Sequence, residues 1–167
     1  KYQHEGGPGL SDLFTLLRQV VRPSAPQVLM LLDFVIFNVL VGNHDAHGKN
    51  FSLLRTEQGL VLAPLYDVLC TAVYPQLTDR MAMKVGSRYR FTELELRHWQ
   101  QFAEQAGLSP AQVRRRLITI AKQLPDLARE QLAHMQLAGE HHAVLDEVVR
   151  VVTHRCALTV KRLGAAS

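Results

Sequence analysis

The chain has 167 residues, of which 47% are apolar and 20% charged, a composition typical of one folded globular domain and not of a disordered segment. The formal net charge of +4 is mildly basic, which permits contact with nucleic acid or an acidic surface without indicating either. The 2 cysteines, Cys70 and Cys156, form no CxxC spacing, so a disulfide framework or zinc ribbon is not expected and a reducing, cytoplasmic location is favoured.

Two helices are predicted in the first quarter of the chain. A Gly- and Pro-rich loop at 5–9 precedes the first helix, which starts at Ser11–Asp12 and has apolar residues at helical spacing. Pro23 and Pro26 are expected to end it. The first residue is Lys1 and not Met, so we expect the natural gene product to start upstream.

The second predicted helix, Gln27 to Val41, is apolar almost all round, as a central core helix should be, and it ends at Gly42–Asn43. Asp33 and Asn38 interrupt its apolar run, which is also shorter than the roughly 20 residues a membrane helix needs. No membrane partner is therefore expected. Asp33 is interpreted as a buried polar residue that has a partner.

The pattern then changes to short strands. The runs 51–54 and 60–62, separated by a turn at 56–59, predict a hairpin, and a further β segment is predicted at 81–85. After Thr92, a candidate N-cap, the chain is predicted helical nearly to its end, with breaks at 107–110, Pro125 and Gly139. The predicted fold is one mainly α domain, 1–167, with a small β-hairpin insertion.

A dense polar cluster, 42–50, lies between the core helix and the hairpin. Asp45 and Asn50 are five residues apart, the D-x-x-x-x-N separation at which protein kinases place a proton-accepting Asp and a metal-binding Asn. Asp67 follows the second strand, and closure of the hairpin would bring it beside Asp45 and Asn50. Two carboxylates and an amide suit Mg²⁺, which prefers oxygen ligands. His47 and Lys49 could counter phosphate charge.

Three segments carry a resemblance to a known family. Residues 37–52 resemble the G-N-x-D-x-H-x-K-N-F-S signature of HipA-like serine/threonine kinases, the toxins of HipBA-type toxin–antitoxin pairs. Residues 62–67 with Thr71 resemble that family's L-x-P-x-Y-D-x-x-x-T motif, and 6–9 is similar to a third short element. The resemblance implies a protein-kinase-like C-lobe.

Transferred position by position, the resemblance implies that Asp45 is the catalytic base and that Asn50 and Asp67 bind Mg²⁺ and thereby the ATP cofactor. His47 and Lys49 would be supporting residues near the phosphates, with a catalytic or cofactor-binding part. Alternatively, His47 could be a structural hydrogen-bonding residue of the loop, and Lys49 a solvated charge.

Members of the family phosphorylate a serine or threonine of a protein, with aminoacyl-tRNA synthetases as the known kind of target, and pair with a HipB-like antitoxin that binds DNA. DNA contact would then be indirect. In the sequence we find no Gly-rich phosphate loop, and neither the strand lysine nor the helix glutamate that protein kinases carry in their N-terminal lobe. An N-terminal lobe is therefore expected elsewhere, and the fragment alone is predicted to be inactive.

Two other classes of function are compatible with parts of the pattern. His44–Asp45 at a helix end, amid other histidines, is also found in HD-type metal phosphohydrolases, although their further metal ligands are not evident on neighbouring helices. A non-catalytic helical binding module would account for the basic charge and the absent lobe. In that case Asp45 and Asn50 would be turn and cap residues.

Overall fold

The computed structural model describes residues 1–164, which form five α-helices and two small antiparallel hairpins. The five helices are α1 Leu10–Val20, α2 Ala25–Val41, α3 Leu96–Gln105, α4 Pro110–Leu137 and α5 Ala143–Gly164. The four strands are β1 Leu53–Thr56, β2 Gly59–Leu62, β3 Arg80–Val85 and β4 Arg88–Arg90. The prediction of a mainly α fold with a small β insertion is confirmed.

Helix α2 is the centre of the apolar core. Three of its buried residues, Leu32, Ile36 and Leu40, lie at 0% exposure, and α1, α4 and α5 all pack against it. This explains why its sequence is apolar on nearly every face. Asp33 emerges at the edge of the core, where it accepts hydrogen bonds from Arg116 of α4, so the predicted partner exists.

The boundary between α1 and α2 differs from the prediction. Helix α2 begins at Ala25, so Pro26 lies in its first turn and does not separate the two helices. Proline is accommodated there because the first N–H groups of a helix have no partner within it. The start of α1 is one residue earlier than predicted, and Asp12 accepts a hydrogen bond from the backbone of Gly9 at 2.8 Å.

The predicted hairpin is present, with slightly different strand bounds. Strands β1 and β2 pair from Leu53↔Leu62 to Thr56↔Gly59, so only Glu57 and Gln58 lie between the strands. The β segment predicted at 81–85 is β3, and it pairs with a strand that the sequence did not suggest, β4. That strand, Arg-Tyr-Arg, has too little apolar alternation to be recognised.

Two details of the helical part were predicted wrongly. Thr92 does not cap α3: it lies in a short 3₁₀ turn, and α3 starts after Glu95. Pro125 does not break the chain, since α4 continues through it to Leu137. An internal proline costs a helix roughly 3 kcal/mol, and α4 tolerates Pro125 in a helix that packs along α5. The breaks at 107–110 and Gly139 are confirmed.

Within residues 1–164, none of the helices combines the length and the apolar character that crossing a lipid bilayer would require.

Candidate active site

The polar loop begins where α2 ends, at a glycine that no other residue could replace without strain. Gly42 has φ +80°, and a Cβ there would come within 2.7 Å of the Cβ of Ala72. Val39, in the last turn of α2, has a carbonyl oxygen that accepts hydrogen bonds from Arg155 Nε at 3.0 Å and Nη2 at 2.8 Å. A guanidinium at this position satisfies an orphan carbonyl and complements the helix dipole.

Arg155 reaches this position from α5 and is itself buried, at 7% exposure. Its guanidinium carbon lies 3.8 Å from the ring centroid of Phe91. Burial lowers the pKa of Arg155 to about 10, so the side chain remains charged near neutral pH. Nothing in the local sequence connects Arg155 with the loop, and sequence analysis assigned it no part.

Thr71 joins the start of the loop to the segment after Asp67. Its Oγ1 donates to the carbonyl oxygen of Gly42 at 3.1 Å and accepts from the backbone N–H of His44 at 2.8 Å. The N–H of Ala72 donates to the same Gly42 oxygen at 3.1 Å. The conformation of the loop entrance is therefore set jointly by two separate stretches of chain.

Asn50 and Asp67 come together as the hairpin closes. Asn50 Nδ2 donates to Asp67 Oδ2 at 2.5 Å, while Asn50 Oδ1 accepts from the N–H of His47 at 3.0 Å. Asn50 is buried at 6% exposure, whereas Asp67 is exposed. Asp67 has φ +56°, the left-handed region that non-glycine residues rarely adopt. The two predicted metal ligands are thus neighbours.

Asp45 lies in the same loop but faces a different environment. Tyr2 donates its hydroxyl hydrogen to Asp45 Oδ1 at 2.8 Å, and Lys1 Nζ lies 3.4 Å from the same oxygen. Among residues 1–164 no hydrogen bond joins the Asp45 carboxylate to the side chain of Asn50 or Asp67. The structure therefore brings together the predicted ligand pair, with the predicted base on an adjacent surface.

A cavity of about 510 Å³ opens beside Asp45. Its walls come from the first residues of the chain, the segment after Asp67 and β3, and they include Tyr2, His4, His44, Leu69, Leu77 and Arg80. Asn50 and Asp67 do not line it. Asp45 therefore borders this cavity, whereas the Asn50–Asp67 pair lies outside its lining.

His47 and Lys49 differ in their surroundings. His47 is buried at 7% exposure and contacts the Tyr2 ring edge-on, with centroids 6.0 Å apart. Lys49 is exposed, and its side chain makes no hydrogen bond or ion pair within the described part of the chain, 1–164. Only its backbone oxygen is engaged, by the hydroxyl of Tyr66 at 2.6 Å.

His44 is a buried part of the loop that sequence analysis did not assign to this site. Its Nδ1 lies 3.1 Å from the carbonyl oxygen of Thr78, and its own carbonyl accepts from Ala82 at 2.8 Å. Burial, followed by the nearby charge of Arg155, lowers the pKa of His44. The imidazole is therefore neutral at physiological pH, and Nδ1 donates to the carbonyl.

The Asn50–Asp67 pair offers oxygens of the kind that Mg²⁺ prefers, those of a carboxylate and an amide, although Asn50 directs Nδ2 to Asp67 and Oδ1 to the N–H of His47. Asn50 Oδ1 keeps a second lone pair beyond the one that His47 engages.

No group of three or more His, Cys, Asp or Glu side chains suited to a metal ion occurs in residues 1–164. The ligand cluster that an HD-type phosphohydrolase needs is therefore not found in this part of the chain.

A helical domain that presents a polar loop, a hairpin and a following acid is the C-terminal part of a protein-kinase-like fold. A chain from the solved HipA–HipB–operator DNA complex of the Shewanella oneidensis MR-1 toxin–antitoxin system has the same architecture: the TM-score is 0.84, with 22% identity over 95% of this chain and 37% of that one. The sequence model of the HipA-like C-terminal domain matches residues 1–128. The chain belongs to the HipA-like C-terminal domain family.

Relatives with assigned names agree with this membership. One relative, named as the kinase Y4mE, comes from Sinorhizobium fredii (strain NBRC 101917 / NGR234). It is 51% identical over 120 residues, which are 72% of this chain and 29% of the relative. The serine/threonine-protein kinase toxin HipA of Shewanella oneidensis is 28% identical over 137 residues, 82% of this chain and 31% of the relative. The chain thus spans less than a third of the length of either protein.

Proposed function

We propose that this chain is the C-terminal catalytic lobe of a serine/threonine protein kinase that transfers the γ-phosphate of ATP to a protein hydroxyl. The observation that carries the proposal is the direct contact between Asn50 and Asp67, with Asp45 five residues before Asn50 and open to the neighbouring cavity. Family membership supports it, since the Shewanella relative is named as such a kinase.

The residues take different parts in this proposal. Asp45 accepts the proton of the acceptor hydroxyl, which approaches through the cavity that Asp45 lines. Asn50 and Asp67 hold Mg²⁺, and Mg²⁺·ATP when bound supplies the phosphoryl group and neutralises charge on it. Lys49, exposed at the end of the loop, adds positive charge on the nucleotide side. His47, buried behind Asn50, holds the loop through its backbone N–H.

The remaining parts of the enzyme are proposed to lie outside this chain. Because the chain spans only 29% and 31% of its two relatives, a separate lobe has room to supply most of the nucleotide contacts. A HipB-like antitoxin is the proposed partner, on the likeness to a HipA–HipB–DNA complex, with DNA contacted through the antitoxin. A cytoplasmic aminoacyl-tRNA synthetase is the proposed kind of acceptor.

The test is a phosphoryl-transfer assay on a polypeptide that joins this chain to a nucleotide-binding lobe, either its natural one or that of the Shewanella relative. With radiolabelled ATP and a panel of aminoacyl-tRNA synthetases, transfer is expected. It should fall by about 10²–10⁴-fold in Asp45→Asn. Asp67→Asn should raise the Mg²⁺ concentration needed for activity.

Asp126→Asn makes the same chemical change on the surface of α4, at 79% side-chain exposure, and should leave transfer unchanged. The 167-residue chain alone is expected to transfer no phosphate. Transfer at the wild-type rate by Asp45→Asn would refute Asp45 as the proton acceptor. A joined polypeptide that binds ATP but phosphorylates no protein would refute the kinase proposal and favour a non-catalytic binding module.

A further inference from the structure

Asn43 has a buried side-chain amide that contacts the backbone of both Asp45, the predicted catalytic base, and Asp67, a predicted metal ligand. Its Oδ1 accepts from the N–H of Asp45 at 3.1 Å, and its Nδ2 donates to the carbonyl oxygen of Asp67 at 3.3 Å. The residue is 4% exposed. An asparagine amide is suited to this arrangement because one planar group offers both an acceptor and two donors.

The same amide is anchored to the core helix. Asn43 Nδ2 also donates to Asn38 Oδ1 at 2.8 Å, and Asn38 Nδ2 donates to the carbonyl oxygen of Phe34 at 2.9 Å. Asn38 is 5% exposed and lies on α2, whose other buried residues are apolar. A continuous path of amides therefore runs from the centre of the molecule to both acids.

The contact with Asp67 coincides with an unusual backbone. Asp67 adopts φ +56°, and this conformation directs its carboxylate to Asn50 while its carbonyl oxygen meets Asn43. Residues in the left-handed region persist when neighbouring contacts hold them there. Thr71 fixes the chain four residues further on, but it does not contact Asp67 itself.

We propose that Asn43 is a positioning residue that sets the separation between the proton-accepting Asp45 and the metal-binding Asp67. This inference rests on the proposed kinase function, in which those two groups act on opposite sides of one transferred phosphoryl group. Asn43 touches neither substrate nor metal in this proposal. It acts through the two acids, because its single side chain contacts the backbone of each, whereas the link made by Thr71 reaches His44 and Gly42 but neither acid.

The test uses the joined polypeptide and the assay described above, with Asn43→Ala as the principal variant. Displacement of a reacting group by ~1 Å costs about 10²-fold in rate, so kcat should fall by at least about tenfold at saturating ATP. The KM for the acceptor protein should stay unchanged. The Mg²⁺ concentration for half-maximal rate should rise, because Asp67 is no longer held.

A merely structural role would give a different pattern. Leu117→Ala truncates a fully buried side chain on α4 and should lower the thermal midpoint at least as much as Asn43→Ala does. It should nevertheless leave kcat and the Mg²⁺ dependence unchanged while the protein is folded. If Asn43→Ala does not fold, Asn43→Ser replaces it, since its hydroxyl is too short to reach Asp67. A kcat and Mg²⁺ dependence equal to those of Leu117→Ala would overturn the inference.

The two proposals fail separately. If Asp45→Asn abolishes transfer and neither Asn43 variant changes kcat, the kinase function stands and the positioning role is wrong. The combined variant Asn43→Ala/Asp67→Asn should lose less activity than the two single variants lose together, since both substitutions act through Asp67. Full additivity of the two losses would also contradict the positioning role.

Discussion

The loop region, residues 38–82, and the helical region, 96–164, are ordered by different forces. Five of the buried polar residues lie close together in the first, namely Asn38, Asn43, His44, His47 and Asn50. In the helical region the contacts between α3, α4 and α5 are made largely by apolar side chains such as Phe102 and Leu117. Specific hydrogen bonds fix the loop region, whereas apolar burial fixes the helices.

This difference separates two kinds of substitution. A truncated apolar side chain in a helix should lower the free energy of unfolding and leave the loop geometry intact, because dispersion contacts carry no directional information. A polar substitution in the loop should change the geometry of the site as well as stability, since a hydrogen bond fixes direction. Substitutions in the two regions should therefore have different consequences.

The largest effect on stability is expected from Phe102→Ala in α3. Phe102 is 2% exposed and packs edge-on against Phe14 and Trp99, so its loss should lower the free energy of unfolding by about 3–5 kcal/mol. Urea unfolding measures this. Leu137→Ala, at 87% exposure, is the control and should change little. A loss for Phe102→Ala no larger than that of the control would contradict an apolar origin of helix stability.

Arg155→Met tests the link between the two regions. Methionine fills similar volume but leaves the Val39 carbonyl oxygen without its donors, which should cost about 1–3 kcal/mol. Hydrogen exchange of the Gly42–Asp45 amides should quicken more than that of α3. Arg155→Lys keeps the charge but not the two-pronged donation, so it should restore only part of the protection. If hydrogen exchange became faster to the same extent at all amides, the contact of Arg155 with Val39 would not stabilise the loop specifically.

Thr71→Val removes one hydroxyl at the entrance of the loop and preserves the shape of the side chain. Both the Gly42 oxygen and the His44 N–H lose their bond with Thr71, so we expect a loss of about 1–2 kcal/mol. Thr71→Ser, which keeps the hydroxyl, is the matched control and should remain closer to the wild type. Equal stability of the Val and Ser variants in urea would show that this contact contributes nothing.

The smallest expected effect is a pH dependence from His44. Because its pKa is lowered in the folded chain, the unfolded chain binds a proton that the folded chain does not, and the free energy of unfolding falls as pH drops below about 6.5. The slope from one such group is at most about 1.4 kcal/mol per pH unit.

His98 also has a pKa lowered by burial, so the comparison must isolate His44. Urea unfolding of wild type and His44→Gln from about pH 5 to 7 gives the free energy of unfolding as a function of pH. This free energy should rise with pH more steeply in the wild type than in the variant. Parallel pH profiles for the two proteins would exclude His44 as the source.

Much of the site could be predicted from local sequence. The spacing of Asp45 and Asn50, followed by a hairpin and Asp67, is enough to place Asn50 against Asp67, because a hairpin with a two-residue turn returns the chain to its start. The separate position of Asp45, facing Tyr2 and a cavity, was not predictable in this way. Tyr2 lies 43 residues earlier in the chain, and no local pattern connects the two.

Local sequence patterns were enough to predict the helical class, the central position of α2, the first hairpin and the motifs of the family. Long-range packing decided that α4 passes through Pro125, that β4 exists, and that Arg155, 116 residues away, donates to the carbonyl oxygen of Val39 in the last turn of α2. The physical reason is that periodicity and turn preference act over a few neighbouring residues. Partners of buried polar groups are chosen only when distant segments pack together, so no local pattern specifies them.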